Sequence, residues 1–245
     1  MITIEETKVD GLYIRQYFPA RPLFSANKVL FFHGYPGSQK NYDLAEHLAL
    51  KGFECYVWHY RGAWKSEGLY SLVSNYKDSE TVLNFLQKKD YGRDSVSLVG
   101  ASWGGFVALE MFARNPDLKK VVLLAPFINM GSDEKALQTG VRFLYSITKP
   151  AIRNYEKEDI EKDLRIIERE YNPLKKSFNA LADLDGSKVL IIHGENDTIC
   201  PIEYSVKIKS LFKTPARLYQ LDGQDHFLHT RETVFDFCFS FLKEE

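Results

Sequence analysis

The sequence predicts an α/β domain in which a mostly parallel β-sheet carries helices on both faces and a helical cap is inserted. Three observations lead to this prediction. Short, almost wholly apolar runs alternate with segments of helical spacing, which is typical of parallel strands buried on both faces. The chain has 245 residues and is 44% hydrophobic and 14% aromatic, which suffices for one packed domain. Between 128 and 183 the alternation stops, and this charged stretch offers helix patterns but no convincing strand.

The first half of the chain contains most of the predicted sheet. Runs rich in β-branched, aromatic and leucine side chains predict strands at 12–18, 28–32, 53–58, 95–100 and 120–126. Apolar residues at helical spacing predict helices at 41–52, 76–89 and 104–115. Gly52 and Pro116 provide stop signals for the first and the last of these helices.

The second half of the chain returns to the same alternation after the charged stretch. The runs "SKVLIIHG" at 187–194 and "ARLYQLDG" at 216–223 predict strands, and "IEYSVKIKSLF" at 202–212 predicts a helix between them. An amphipathic segment at 231–245 predicts a last helix. We therefore expect a core formed by 1–127 and 184–245, with an inserted helical cap at 128–183.

Composition excludes several classes of function. With 32 Lys+Arg against 33 Asp+Glu, the chain has no overall field that would favour nucleic acid or an anionic membrane. The three cysteines, at 55, 200 and 238, form no C-x-x-C pair, so neither a disulfide framework nor a thiolate metal site is expected. No apolar segment reads as a signal or a membrane span. We expect a soluble cytoplasmic protein without an integral membrane segment.

Nucleotide and metal motifs are missing as well. The loop "HGYPGS" after an early strand does not supply G-x-G-x-x-G, and the sequence contains neither a P-loop nor H-E-x-x-H. The sequence therefore predicts no bound cofactor and no metal, and it makes no prediction of the oligomeric state.

Ser102 is the first candidate for chemistry. It lies in "SLVGASWGGFVAL" at 97–109, where the pattern G-x-S-x-G joins a predicted strand to a predicted helix. A nucleophilic serine on so sharp a turn needs very small neighbours, and the helix N-terminus directs backbone N–H groups towards it. The bare pattern also occurs by chance, so the strand–turn–helix setting carries the interpretation.

A serine hydroxyl needs a base within hydrogen-bond distance. His226 lies in the loop "LDGQDHFLHT" after the last predicted strand, at the edge where a parallel sheet presents ligand-facing side chains. His229 lies in the same loop and is the alternative. His33 and His193 each precede a glycine at a strand end, so we expect structural roles for them.

The base in turn needs an acid that fixes its tautomer. Glu195 and Asp197 both follow the strand at 187–194 in "IIHGENDTICP". Either carboxylate would therefore lie at the carboxyl edge of the sheet. Either one is equally compatible with the ordinary role of a solvated loop charge.

An oxyanion is stabilised by two N–H donors. The Trp103 N–H, directly after the serine, is the first candidate. The second is expected in the loop after the strand at 28–32. Pro36 has no N–H, so Tyr35 is the preferred donor there and Gly34 the alternative.

At this point the sequence resembles the α/β-hydrolases of the serine esterase and lipase kind. The resemblance covers about 28–127 and 187–243 but not the cap. The motifs that carry it are "HGYPGS" at 33–38, "YRGAWKSEG" at 60–68, "GASWGG" at 100–105, "HGENDTICP" at 193–201 and "GQDHF" at 223–227. In the second motif, Trp64 and Lys65 stand where the family usually has small residues.

The resemblance implies an α/β-hydrolase fold and a catalytic triad. Carried over to this sequence, the nucleophile is Ser102, the acid is Asp197, because the order Ser–Asp–His matches the family, and the base is His226. The oxyanion donors are Tyr35 and Trp103. The implied function is hydrolysis of a small-molecule carboxylic ester of small to medium acyl groups through an acyl-enzyme on Ser102, as in small carboxylesterases, feruloyl esterases, monoacylglycerol lipases and prolyl-oligopeptidase-like catalytic domains.

Other functions use the same motifs. Peptidases and thioesterases need the same triad, and a catalytically silent hydrolase fold could bind a ligand or a partner instead. Dehalogenases of this fold carry Asp where this chain has Ser102, which disfavours them. An apolar pocket would be supplied by Trp103, Phe106, Phe127, Phe143 and Tyr145. Basic residues that would suit an acidic substrate, unless they are only solvated surface charges, are Arg61, Lys65, Arg142 and Arg153.

Overall fold

An eight-stranded sheet organises the described part of the chain. The structure is a computed structural model that describes residues 1–24, 27–36, 41–87, 92–128, 134–148, 151–170 and 181–244. The strands are β1 (Ile2–Val9), β2 (Leu12–Pro19), β3 (Lys28–Phe32), β4 (Glu54–Trp58), β5 (Val96–Ala101), β6 (Val121–Leu124), β7 (Val189–Gly194) and β8 (Arg217–Leu221). The helices are α1 (Tyr42–Leu50), α2 (Ser74–Gln87), α3 (Trp103–Arg114), α4 (Glu134–Thr148), α5 (Lys157–Glu170), α6 (Ile202–Lys209) and α7 (Arg231–Lys243).

The strand order is β1-β2-β4-β3-β5-β6-β7-β8. All pairs from β4 to β8 are parallel, while β1 pairs antiparallel with β2 and β2 antiparallel with β4. Because the parallel strands point the same way, the loops after β3, β5, β7 and β8 leave the sheet at one edge. The predicted α/β architecture is confirmed.

Side chains alternate between two hydrophobic cores, one on each face of the sheet. On β3, Leu30 and Phe32 pack into the core that includes residues of α2 and α3, whereas Val29 and Phe31 pack into the core that includes residues of α1 and α7. Every residue of β3, β5, β6 and β7 is buried. The near-continuous apolar runs in the sequence follow from this burial on both faces.

Strand β1 is an element that the sequence analysis missed. It forms a hairpin with β2 in which Val9 pairs with Leu12. Asp10 and Gly11 occupy the turn with φ of 49° and 76°, as a two-residue hairpin turn requires. Since β1 lies at the edge and most of its residues are exposed, it has no apolar alternation. The Asp-Gly pair at 10 and 11 was the signal in the sequence from which this hairpin could have been predicted.

The other predicted elements are present with shifted ends. The helix predicted at 76–89 begins at Ser74, and its positions 88 and 89 lie outside the described residues. The strand predicted from 187 begins at Val189, because a 3₁₀ turn over Gly186–Lys188 precedes it. The helix predicted to 212 ends at Lys209. These ends differ by a few residues at most, as is usual for helix and strand termini.

Helices α4 and α5 occupy the chain between β6 and β7. Buried Leu164 on α5 belongs to the same hydrophobic core as Val141 on α4. The Asp163 carboxylate on α5 accepts hydrogen bonds from the Leu72 N–H at 2.7 Å and from the Tyr155 hydroxyl at 2.8 Å. Helix α5 is thereby attached to the loop before α2.

None of the helices in the described ranges combines the length and the apolar character that a membrane crossing requires.

Candidate active site

Ser102 lies on a strained turn between β5 and α3. Its backbone has φ 53° and ψ −120°, a conformation that is unfavourable for a residue with a side chain and is found at functional sites. The Ser102 N–H donates to the Leu124 carbonyl at 2.9 Å, and the Phe127 N–H donates to the Ser102 carbonyl at 2.9 Å. These bonds to β6 and the residues after it hold the turn in place.

The glycines around Ser102 are required by close packing. A Cβ on Gly100 would lie 2.3 Å from the Gly104 carbonyl oxygen, and one on Gly104 would lie 2.2 Å from the Phe32 carbonyl oxygen. A Cβ on Gly105 would lie 2.8 Å from the Pro126 Cβ. Real Cβ atoms do not approach so closely, so the spacing of glycines in the sequence reflects contacts of α3 with the sheet.

A continuous chain of hydrogen bonds joins Ser102, His226 and Asp197. The His226 Nε2 lies 3.0 Å from the Ser102 Oγ, and its Nδ1 lies 2.7 Å from the Asp197 Oδ2. An ionised carboxylate only accepts hydrogen bonds, so Nδ1 carries the proton. In the neutral imidazole, Nε2 is then free to accept the proton of the Ser102 hydroxyl.

The Asp197 carboxylate is buried and fully engaged. Its Oδ1 accepts from the Ile199 N–H at 2.9 Å and from the Cys200 N–H at 2.8 Å. Burial alone raises the pKa of Asp197, but the hydrogen bonds from His193, His226 and the Cys200 N–H outweigh it and hold this pKa well below its usual range. Asp197 is therefore ionised at neutral pH.

The loop that carries His226 crosses closely over the end of β7. A Cβ on Gly194 would lie 2.4 Å from the Gln224 carbonyl oxygen and 2.5 Å from the Asp225 carbonyl oxygen. The Asn196 N–H donates to the Gln224 carbonyl at 2.9 Å. Gly194 thus permits the loop after β8 to meet the loop after β7, which is how Asp197 reaches His226.

His193 contacts this chain of hydrogen bonds, which the sequence analysis did not foresee. Its side chain is fully buried, and its Nε2 lies 3.1 Å from the Asp197 Oδ2 and 2.7 Å from the Cys200 carbonyl oxygen. Its Nδ1 lies 2.8 Å from the Ser205 Oγ on α6. The available signal was a histidine four residues before the acid, in "HGEND". The sequence analysis expected only a structural role for this histidine.

The alternative candidates have other surroundings. His229 is 71% exposed in its side chain, and its Nε2 lies 3.4 Å from the Asp225 Oδ1. Glu195 is exposed at the surface. Of the two histidines and two carboxylates that the sequence offered, His226 and Asp197 are the pair that the structure joins to Ser102.

The loop after β3 lies against Ser102. A Cβ on Gly34 would lie 3.2 Å from the Ser102 Cβ, so the backbone of this loop passes next to the serine. Trp103 is the first residue of α3, where backbone N–H groups have no partner within the helix. Tyr35 directly follows Gly34 in this loop, and Trp103 directly follows Ser102.

Side chains from two other segments hold the loop after β3. The Trp64 Nε1–H donates to the Pro36 carbonyl at 3.1 Å. The Tyr35 hydroxyl donates to the Thr148 Oγ1, which itself donates to the Leu144 carbonyl at 2.8 Å. Burial raises the pKa of Tyr35 well above its usual range, so this hydroxyl stays protonated.

An aromatic cluster lies beside Ser102. Trp103 stacks on Phe106 at 5.1 Å between ring centroids, and Phe127 lies 6.0 Å from Trp103. When the Asn75 amide oxygen faces its two donors, it accepts from the Trp103 Nε1–H at 2.9 Å and from the Tyr70 hydroxyl at 3.1 Å. Trp103 and Phe106 are buried members of the hydrophobic core, and Phe127 packs against this core.

The other candidates for pocket and charge roles are exposed or have partners within the protein. Phe143 and Tyr145 are exposed on α4. Arg61 pairs with Asp10 and Asp78, and Lys65 pairs with Glu6. Arg153 donates to the carbonyls of Trp64 and Ser66, and Arg142 donates to the Thr139 hydroxyl. All four basic side chains are therefore engaged with the protein itself.

In the described ranges, His, Cys, Asp and Glu side chains do not gather into a group of three that could hold a metal ion.

Comparison with known proteins identifies the family of the chain. The model of the family described as "Serine aminopeptidase, S33" matches residues 25–172, which is more than half of the chain and includes Ser102. YfhR of Escherichia coli strain K12, an uncharacterized protein, is 23% identical over 232 residues, covering 91% of this chain and 72% of that protein.

Solved structures show the same fold. Est1E from Butyrivibrio proteoclasticus, solved with bound ferulic acid, superposes with a TM-score of 0.71 at 20% identity, covering 97% of each chain. The monoacylglycerol lipase from Paleococcus ferrophilus superposes with a TM-score of 0.67 at 18% identity, covering 94% of this chain and 99% of that one. The predicted α/β-hydrolase fold is confirmed, and the chain belongs to the serine aminopeptidase S33 family of α/β-hydrolases.

Proposed function

We propose that this protein is a serine hydrolase that cleaves carboxylic esters of small to medium acyl groups through an acyl-enzyme on Ser102. The observation that carries the proposal is the continuous chain of hydrogen bonds from Asp197 through His226 to Ser102. Each member comes from a different loop at one edge of the sheet, and the serine stands on a strained turn at a helix N-terminus. This arrangement is what nucleophilic catalysis by serine requires.

The reaction has two halves. The Ser102 Oγ attacks the ester carbonyl while the His226 Nε2 takes its proton, and Asp197 stabilises the resulting imidazolium. The bond to the alcohol then breaks, and His226 gives the proton to the leaving alcohol. In the second half, His226 takes a proton from water, the hydroxide attacks the acyl-enzyme, and Ser102 recovers its proton as the acid departs.

The tetrahedral oxyanion is assigned to the N–H groups of Trp103 and Tyr35. Trp103 opens α3, so its N–H adds to the positive end of the helix dipole. The Tyr35 backbone belongs to the loop that packs against the Ser102 Cβ through Gly34. Two preorganised donors in such a place are worth several orders of magnitude in rate.

Esters are proposed because of the apolar side chains near the serine and because of the proteins that share this fold. The rings of Trp103, Phe106 and Phe127 contact one another, and Trp103 directly follows Ser102, so apolar side chains lie next to the serine, which suits an acyl group. Among the similar folds are Est1E with bound ferulic acid and a monoacylglycerol lipase. The family description names an aminopeptidase, so amides are the main competing substrate, and thioesters need the same three side chains.

We also propose that 128–183 forms a cap over this edge. Its described helices α4 and α5 are anchored to the core through Asp163 and, at Thr148, to the loop that carries Tyr35. Residues 171–180 of this segment lie outside the described residues. A cytoplasmic location remains a prediction, and three unpaired, buried cysteines fit it.

The test is a substrate panel with matched variants. Wild type, Ser102→Ala and Ser95→Ala would be assayed on p-nitrophenyl esters from acetate to palmitate, on aminoacyl p-nitroanilides and on acyl-CoA thioesters. Ser95 lies just before β5, at the end of that strand opposite to Ser102. We expect ester hydrolysis that fades with long chains in wild type and Ser95→Ala, and none in Ser102→Ala. Preference for anilides or thioesters would replace the ester assignment.

A further inference from the structure

His193 lies beneath the proposed triad with both ring nitrogens engaged. It is the penultimate residue of β7, and its side chain is fully buried. The Nδ1 lies 2.8 Å from the Ser205 Oγ, and the Nε2 lies 3.1 Å from the Asp197 Oδ2 and 2.7 Å from the Cys200 carbonyl oxygen. A core histidine that only fills space would not need a carboxylate partner.

The partners of His193 fix where its proton lies. The Asp197 carboxylate and the Cys200 carbonyl can only accept hydrogen bonds, so Nε2 carries a hydrogen. The two acceptors share this hydrogen. In the neutral ring, Nδ1 then accepts, and the Ser205 hydroxyl donates to it. Ser205 is itself fully buried on α6. The neutral Nε2–H tautomer satisfies all of these contacts at once.

The Asp197 Oδ2 is thereby shared by two imidazoles, with His226 at 2.7 Å and His193 at 3.1 Å. The other oxygen accepts two backbone N–H groups. With four donors around it, the carboxylate cannot turn without breaking a charge-assisted hydrogen bond. The His193 hydrogen bond also withdraws negative charge from the oxygen that faces His226.

We infer that His193, held by Ser205, is a positioning residue that fixes the Asp197 carboxylate towards His226 and moderates its basicity. The relay runs from Ser205 on α6 through His193 on β7 to Asp197, and from there to His226 and Ser102. This inference rests on the proposed roles of Ser102, His226 and Asp197.

Among the described residues, the loops that carry Asp197 and His226 also carry other titratable side chains, namely those of Glu195, Cys200, Asp222, Asp225 and His229. Burial raises the pKa of the Cys200 thiol well above its usual range, so it stays neutral. His229 and Asp225 form an exposed pair in the same loop as His226. His229→Gln therefore serves as a control for any titration that comes from the loop rather than from His226.

The test compares a variant that loses the donor with one that keeps it. His193→Leu is apolar, whereas His193→Gln presents an amide N–H near the former Nε2. The readout is the pH dependence of Ser102 labelling by a fluorophosphonate, which needs the nucleophile but no particular ester. We expect labelling by His193→Leu to slow by about tenfold or more and His193→Gln to recover most of the rate.

The pH profile separates positioning from simple loss of structure. Without the His193 donor, Asp197 accepts more strongly from His226 and holds its imidazolium form more firmly. The acidic limb of the labelling rate of His193→Leu should then move to higher pH by about one unit, and that of His229→Gln should stay in place. If His193→Leu only reduced the fraction of folded protein, the labelling rate would fall but its acidic limb would stay in place. An unchanged rate together with an unchanged acidic limb in His193→Leu would overturn the inference.

A measurement on the wild-type protein needs no variant to fold. Heteronuclear NMR of histidine-labelled protein should show a proton on the Nε2 of His193. A proton on Nδ1 alone would contradict the relay. If Ser102 is labelled but no ester is hydrolysed, the substrate class fails while the inference about His193 stands. If Ser102 is not labelled, the proposed function itself fails.

Discussion

A methyl group on Gly104 would lie 2.2 Å from the carbonyl oxygen of Phe32. The first turn of α3 and the last residue of β3 are thus in direct backbone contact. Phe32 is followed by the loop that carries Gly34 and Tyr35, and Gly104 follows the turn that carries Ser102. The contact therefore fixes the proposed nucleophile relative to one of its proposed oxyanion donors.

Gly104→Ala should destabilise the protein although it improves helix propensity. The added Cβ meets a backbone carbonyl that cannot move aside, so we expect a loss of about 3 kcal/mol in the free energy of unfolding. Gly140→Ala on α4 is the matched control, because the nearest atom to its new Cβ is 4.0 Å away. That variant should gain roughly 0.5–1 kcal/mol. Urea unfolding of both measures the difference, and equal effects would contradict the packing argument.

Asp197→Asn should nearly abolish activity without unfolding the protein. The amide can turn an N–H towards His226, which then favours the wrong tautomer and leaves the imidazolium unstabilised. We expect kcat to fall by about four orders of magnitude, as in the Asp–His pair of serine proteases. Circular dichroism checks the fold, and retention of more than a tenth of the activity would exclude Asp197 as the acid.

The same residue should make stability depend on acid pH. Because its pKa in the folded protein is held below the usual value, ionised Asp197 contributes stability that is complete above about pH 4 and is lost as the pH falls further. The free energy of unfolding measured between neutral and acid pH should fall less in Asp197→Asn than in wild type. Parallel curves for the two proteins would show that Asp197 is not held in its ionised form.

Trp64→Phe should slow the reaction more than it destabilises the fold. The variant keeps an aromatic ring but loses the indole N–H that donates to the Pro36 carbonyl. This hydrogen bond restrains the loop of Tyr35, so we expect kcat to fall about threefold to tenfold with less than about 1 kcal/mol lost in stability. Trp64→His, which offers a ring N–H, is the comparison, and unchanged kinetics in Trp64→Phe would refute the role.

Asp163→Leu should detach the inserted helices. It leaves the buried Leu72 N–H and Tyr155 hydroxyl without their shared acceptor, at a cost of about 3 kcal/mol or more. Tyr155→Phe removes one donor and leaves the Leu72 contact, so its cost should be only about 1 kcal/mol. Denaturant unfolding compares the two. Limited proteolysis within 134–170 should be faster in Asp163→Leu alone.

The sequence predicted seven of the eight strands of the sheet, and it named Ser102, His226 and Asp197 as candidates for the site. Buried parallel strands leave long apolar runs, and reactive side chains follow the ends of these strands. Those two rules place Ser102 after β5, Asp197 after β7 and His226 after β8. The glycines at 100, 104 and 194 were visible too, but only their contacts with Gly104, Phe32 and Gln224 explain them.

The remaining features depend on contacts that no local run of residues predicts. In the sequence, His193 looks like an ordinary core residue. Only the structure shows its contacts with Ser205, Cys200 and Asp197. In the sequence, Trp64 is only a departure from the loop that is usual in the family. The structure shows that its indole N–H donates to the Pro36 carbonyl. Strand β1 escapes notice because an exposed edge strand needs no apolar pattern. For His193 and Trp64 the signal lies in a partner rather than in a local run.

The central claim is that Ser102 is the nucleophile of the Asp197–His226–Ser102 chain. Its most direct test is reaction with a fluorophosphonate followed by mass spectrometry of the intact protein and its peptides. The account predicts a single adduct on Ser102 in wild type, labelling slowed strongly in His226→Ala, and no adduct in Ser102→Ala. A folded Ser102→Ala that still takes up the label, or a wild type labelled at another residue, would contradict it.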